Sequence, residues 1–106
     1  MQYSNYKDAV GHIATRTPFK SNSLSGHNDG SGRFIVLSYH TPIAVINLPY
    51  FKVELDVHKY SVTTSRHQNL IRQAVAEIVA LNPAVEILEH DRLGWNRGLN
   101  TQAVNA

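Results

Sequence analysis

Two periodicities organise this chain, one of period two and one close to period 3.6. In Lys52-Val53-Glu54-Leu55-Asp56-Val57 apolar and charged residues alternate strictly, which predicts a strand with one buried and one wet face. Further on, Leu70, Ile71, Ala74, Val75, Ile78 and Val79 form an apolar stripe at helical spacing, with Leu81 near its end. Ser65 and Gln68 have the spacing of a capping box, with Thr64 as an alternative cap, and Asn82-Pro83 stops the helix. Two more strands are predicted upstream. Phe34–Tyr39 is β-branched and aromatic, and Ile43–Ile46 follows the turn His40-Thr41-Pro42 and ends at Asn47-Leu48-Pro49-Tyr50. Their short connections predict antiparallel neighbours.

The flanks are weaker. Tyr6, Val10 and Ile13, with Ala9 and Ala14, predict a short helix within residues 3–14, with Ser4 as its N-cap and Pro18 beyond its end. Gly11 weakens that helix. Residues 20–32 are small, polar and glycine-rich, which predicts a flexible loop. Val85–Leu88 is a candidate fourth strand, and residues 96–106 have too little apolar content to predict anything but a frayed tail. The expected fold is therefore a single α+β domain over residues 1–95. A three-stranded antiparallel sheet, four with the candidate strand, is packed by one long helix and a short N-terminal helix, in the order α-β-β-β-α.

Composition narrows the chemistry. The 106 residues include no cysteine, so neither a disulfide framework nor a thiolate metal site can form. No apolar run approaches the roughly 18 residues needed to span a bilayer, and Met1–Tyr6 lacks the basic cluster and apolar stretch of a signal peptide. A cytosolic protein without membrane partners is the expectation. The net charge is +2, unevenly spread: residues 1–75 carry four Lys and four Arg against Asp8, Asp29, Glu54 and Asp56, whereas 76–106 carry two Arg against four carboxylates. That permits a weakly basic face but falls short of the dense footprint of a dedicated DNA binder.

No catalytic motif emerges. The chain has no G-x-S-x-G elbow, and Ser25-Gly26-His27-Asn28-Asp29 lies in the predicted loop, where preorganisation is missing. Ser31-Gly32-Arg33 enters a strand rather than a helix, so it is not a phosphate loop. Asp56 and His58 share one side of a strand, a spacing more common as surface decoration than as a means of orienting an imidazole. The six histidines form no H-E-x-x-H or i,i+4 pair. His40, His58 and His67, at element ends, are the candidates should a metal site assemble. No cofactor is called for. The strongest feature is the junction Tyr60–Gln68, where Arg66 and His67 are expected in the first turn of the long helix, against the positive end of its dipole. Hydroxyls of Thr63, Thr64 and Ser65, free backbone N–H groups and the Arg66 fork would together suit an anion. The plainer alternative has the hydroxyls capping and Arg66 lying across the sheet edge or pairing with Glu54 or Asp56. A contact face built on this junction would add Arg33, Lys52 and Lys59, with Tyr39 and Tyr50.

Ser38-Tyr39-His40-Thr41-Pro42-Ile43-Ala44 and Lys59–Gln68 resemble the S-Y-x-T-x-I-A and K/R-Y-S-V-T-T-S-x-x-Q motifs of a family of small uncharacterised phage and mobile-element proteins. Phe19–Leu24 is similar to that family's opening motif, so the resemblance runs from residue 19 to about residue 75. It implies provenance rather than mechanism. Such proteins often act by binding, and the leading expectation is a non-enzymatic inhibitor of a host nucleoprotein defence complex, with a CRISPR effector as the first example. The alternative is a small double-stranded DNA- or RNA-binding protein, because the α-β-β-β-α order resembles the double-stranded RNA-binding domain and its latter part resembles DNA-reading three-stranded sheets. In that domain a lysine cluster opens the second helix, where this chain has only Arg66 and His67.

Overall fold

The computed structural model describes residues 6–21 and 23–93. Helix α1 (Tyr6–Ala14) is followed by five strands: β1 (Phe19–Ser21), β2 (Leu24–Asn28), β3 (Phe34–Ser38), β4 (Thr41–Asn47) and β5 (Lys52–Asp56). The long helix α2 (Val62–Leu81) and a last strand β6 (Glu86–His90) complete the order. All six strands form one sheet in sequence order, antiparallel from β1 to β5, with β6 parallel to β5. The expected α-β-β-β-α arrangement and purely antiparallel sheet are thus overturned: the sheet is six-stranded and mixed. With them goes the topological analogy to the double-stranded RNA-binding domain and to three-stranded DNA-reading sheets.

Two physical reasons account for the difference. First, the stretch 20–32 expected to be a loop contains most of a hairpin. In β1 and β2, Phe19, Ser21, Leu24 and Gly26 point to the buried face while Lys20, Ser25 and His27 alternate outward. Side chain-poor Gly26 is required here, because a Cβ would stand 2.6 Å from Phe34 Cζ and 2.7 Å from Phe19 Cε1. The aromatic rings thus supply the apolar surface that the local composition lacks. Second, β5, α2 and β6 form a βαβ unit. Parallel neighbours need a crossover of a dozen or more residues, and α2 provides it.

Both helices lie on the same face of the sheet. Ala9 and Ile13 of α1 and Ile71, Ala74, Val75 and Ile78 of α2 pack with Phe19, Leu24, Phe34, Val36, Ile46, Val53 and Leu55. Leu70 and Val79 flank this core, as the stripe predicted, but Leu81 is 83% exposed and contributes nothing to it. In β4 the register slips: Val36 opposes Ala44 and Leu37 opposes Pro42, so Ile43 is unpaired. This bulge lets consecutive residues Ile43 and Ala44 both enter the helix-side core. On the opposite face a smaller cluster joins Ile35, Val45 and Leu93, with Leu37 beside it. Ser4 and residues 96–106 lie outside the described residues.

Candidate binding surface at the amino end of α2

Strand β5 ends at Asp56, whose buried carboxylate organises the route into α2. Oδ1 accepts from the backbone N–H of His58 at 2.8 Å, and Oδ2 accepts from the Tyr60 hydroxyl at 2.6 Å and the Leu93 N–H at 3.0 Å. Burial, then the hydrogen bond and charge of Asp56, push the Tyr60 phenol up to about 12. Gln68 reaches back from α2 to donate to the carbonyls of Asp56 (2.7 Å) and His58 (3.0 Å). The loop is therefore fastened at both ends, and His58 Nδ1 lies 2.7 Å from Asp91 Oδ1 beside it.

Ser61 is the N-cap, with its hydroxyl accepting from the Thr64 N–H at 3.1 Å. The helix thus begins a turn earlier than the Ser65–Gln68 spacing suggested. Ser65 lies inside the helix, and Gln68 serves the loop rather than a cap. Arg66 and His67 consequently occupy the second turn, beyond the reach of the dipole argument made for them, which falls off within the first.

Their fates are opposite. Arg66 is exposed and pairs with neither Glu54, whose Oε1 meets His90 Nε2 at 2.8 Å, nor Asp56. His67 is fully buried, with Nδ1 2.7 Å from Ser38 Oγ at the end of β3. Ser38 Oγ is also 3.0 Å from Thr64 Oγ1, to which the Ser61 hydroxyl donates at 3.2 Å. Ser61, Thr64, Ser38 and His67 thus form one continuous chain of hydrogen-bonded side chains. Burial, aided by the nearby Arg66 charge, lowers the His67 pKa below its ordinary value. These side chains lock α2 to the β3–β4 corner.

Of the predicted contact residues, Tyr39, Lys59, Thr64, Ser65, Arg66 and His67 come together at this end. Thr64 and His67 are buried, Ser65 is half-buried, and Tyr39, Lys59 and Arg66 are exposed. The Tyr39 ring lies 6.3 Å from that of His67, tilted by 48°. Arg33, Tyr50 and Lys52 lie at the opposite end, at or just before the starts of β3 and β5, about 16 Å away along five-residue strands. Arg33 is buried there, its Nε 2.6 Å from Asp29 Oδ2. Burial pushes Asp29 up, but hydrogen bonds from Ser31 and Arg33 outweigh it and hold the carboxyl below its usual value. The nine residues therefore do not form one face.

Sequence reasoning missed Tyr60 and Val62, the latter 80% exposed, although an apolar residue just before a capping run was a usable signal. With Lys59, Ser61 and Ser65 they line a shallow depression of about 440 Å³. The three candidate metal ligands separate: His40 is in the exposed β3–β4 turn, His58 meets Asp91, and His67 meets Ser38. Among the described residues no three His, Asp or Glu side chains gather as a metal site.

The chain belongs to a family of unknown function (DUF8033), which matches residues 9–81 and so spans most of α1, the first five strands and α2. No curated protein and no solved structure matches it. No helix among the described residues is long and apolar enough to cross a membrane.

Proposed function

We propose that this is a non-enzymatic binding protein that docks through the amino end of α2 on an acidic surface of a host nucleoprotein complex. The observation that carries this reading is the division of labour at that end. The hydroxyls, imidazole and carboxylate that could do chemistry (Ser38, Thr64, His67 and Asp56) are buried and hydrogen-bonded to one another or to backbone. The side chains that reach solvent include Tyr39, Lys59, Tyr60, Val62 and Arg66, with Ser61 among them. Aromatic and arginine anchors on a rigid support are the composition of interface hot spots, and the two cations favour an acidic partner. The resemblance to phage and mobile-element proteins makes a defence complex acting in the host cytoplasm, a CRISPR effector first, the partner to test.

The test is capture and inhibition. Tagged protein should co-purify with a purified effector complex and reduce its DNA cleavage, and Arg66→Glu or Tyr60→Ala should weaken both by about tenfold or more. Absence of capture and inhibition across effector types would sink the reading. A gel shift on naked duplex with a steep salt dependence would instead return nucleic acid as the direct partner.

A further inference from the structure

We propose a second site, on the sheet face away from the helices, that binds a nucleotide by stacking its base on Tyr39 and holding its phosphate at Lys20. A cavity of about 590 Å³ opens there, lined by Lys20, Ser23, Ser25, Leu37, Tyr39 and His40. Its size falls within the range of small-molecule sites. The lining follows from the period of the strands. Lys20 of β1, Ser25 of β2 and Leu37 of β3 are outward-facing residues, alternating with Phe19, Leu24 and Val36 in the core. The β1–β2 and β3–β4 turns add Ser23 and the Tyr39-His40 pair.

The chemistry of this lining is specific. Leu37 and the 55% exposed Tyr39 ring offer apolar and π surface for a flat heterocycle. Lys20, His40 and two serine hydroxyls offer a cation and hydrogen-bond donors for phosphate, and among the described residues no carboxylate lines the cavity to oppose it. Tyr39 is also held in place. Its φ of 59° is left-handed, uncommon outside glycine, and its N–H donates to the Ser23 carbonyl at 2.5 Å. That bond ties the two turns together, so the wall carrying the ring is set before any ligand arrives. A positive φ at this position is what the two-residue β3–β4 hairpin turn requires.

This site does not rest on the docking reading: Lys20 and His40 lie outside the α2 surface, and only Tyr39 borders both. The ligand chemistry could come from a free mononucleotide or from a nucleotide within a single strand. Two probes separate these sources: adenosine monophosphate by calorimetry and a fluorescent five-nucleotide oligothymidylate by anisotropy. Saturable binding of at least one is expected, with affinity reduced about tenfold or more in Lys20→Ala and in Tyr39→Gly. Glycine suits the backbone at position 39, and Lys20 is exposed, so both variants should keep the wild-type unfolding midpoint or exceed it. Equal affinity for the two probes identifies the mononucleotide as sufficient; a clear preference for the oligomer identifies the strand. Failure of both probes to saturate, or binding undiminished in either variant, overturns the proposal. So does a loss confined to Arg66→Ala, which would move the contact to the α2 surface.

Discussion

The sheet closes its two faces by different means. On the helix side, α1 and α2 seal an apolar core, interrupted by the buried Ser21 hydroxyl and by Ser38, Thr64 and His67, which satisfy one another. On the other side a three-residue cluster of Ile35, Val45 and Leu93 is held by one polar post, the Asp56 carboxylate that accepts the Leu93 N–H. Beside that cluster the strands present Lys20, Ser25 and His27 to solvent. The lesson is a separation of duties. The helix-side face carries the stability, leaving the opposite face and the α2 corner room for exposed aromatic and cationic side chains that add little to folding.

The largest expected effect tests the helix-side face. Phe34 is almost wholly buried, and Phe34→Ala should cost about 3–5 kcal/mol of unfolding free energy in a denaturant titration. Gly26→Ala should destabilise by about 1–3 kcal/mol, because the new methyl must displace the Phe19 and Phe34 rings. A neutral Gly26→Ala would show that β1 and β2 are not clamped under those rings. Val45→Ala on the opposite face removes two methyl groups from a three-residue cluster, and a cost of about 1.5 kcal/mol is expected. If Val45→Ala proved as costly as Phe34→Ala, the faces would share the load and the contrast would fail.

How much of this was legible in the residues depends on where the decisive information lies. The α2 stripe and the β5 alternation carry their burial in their own spacing, so Ile71, Val75, Ile78, Val53 and Leu55 fall where the pattern puts them. The β1–β2 hairpin does not. Its Ser, Gly and His residues are ordered by rings brought from β3 and from Phe19, a tertiary effect that local composition cannot express. The start of α2 was ambiguous for a local reason: Ser61 to Thr64 and Ser65 to Gln68 both offer cap-like spacing, and the demand of the Asp56 and His58 carbonyls for Gln68 decides between them. The direction of β6 could have been inferred, since a strand, a long helix and another strand joined by short links favour a parallel pair. The candidate site divided similarly. Arg66, Lys59 and Tyr39 were visible as polar or aromatic residues at element ends. The burial of His67 and the distance of Arg33, Tyr50 and Lys52 depend on strand direction and register.

A pH titration examines the polar inclusion on the helix side. Because burial depresses the His67 pKa in the folded state, the unfolded chain takes up a proton first, near pH 6.5. Stability contributed by neutral His67 is therefore full above that value and lost as pH falls from about 6.5 toward the lower folded pKa. The midpoint of unfolding should drop over this interval, and His67→Gln should flatten that part of the profile while lowering stability at neutral pH. An unchanged profile in His67→Gln would mean that another histidine carries the acid sensitivity.

The smallest effect concerns the post on the other face and is spectroscopic. The Tyr60 hydroxyl donates to the same Asp56 oxygen that accepts the Leu93 N–H, so the phenol reports on the group holding that cluster. Its pKa of about 12 arises from burial first and then from the hydrogen bond and charge of Asp56. Asp56→Asn keeps the shape but removes the charge, so Tyr60 should ionise at lower pH while burial still holds it above the ordinary value near 10. Difference absorbance of tyrosinate, with Tyr60→Phe identifying this residue among the five tyrosines, measures the change. A Tyr60 titration indifferent to Asp56→Asn would detach the phenol from the carboxylate. The amino end of α2 would then be secured by the Gln68 bonds to the Asp56 and His58 carbonyls and, on the helix side, by Ser38, Thr64 and His67.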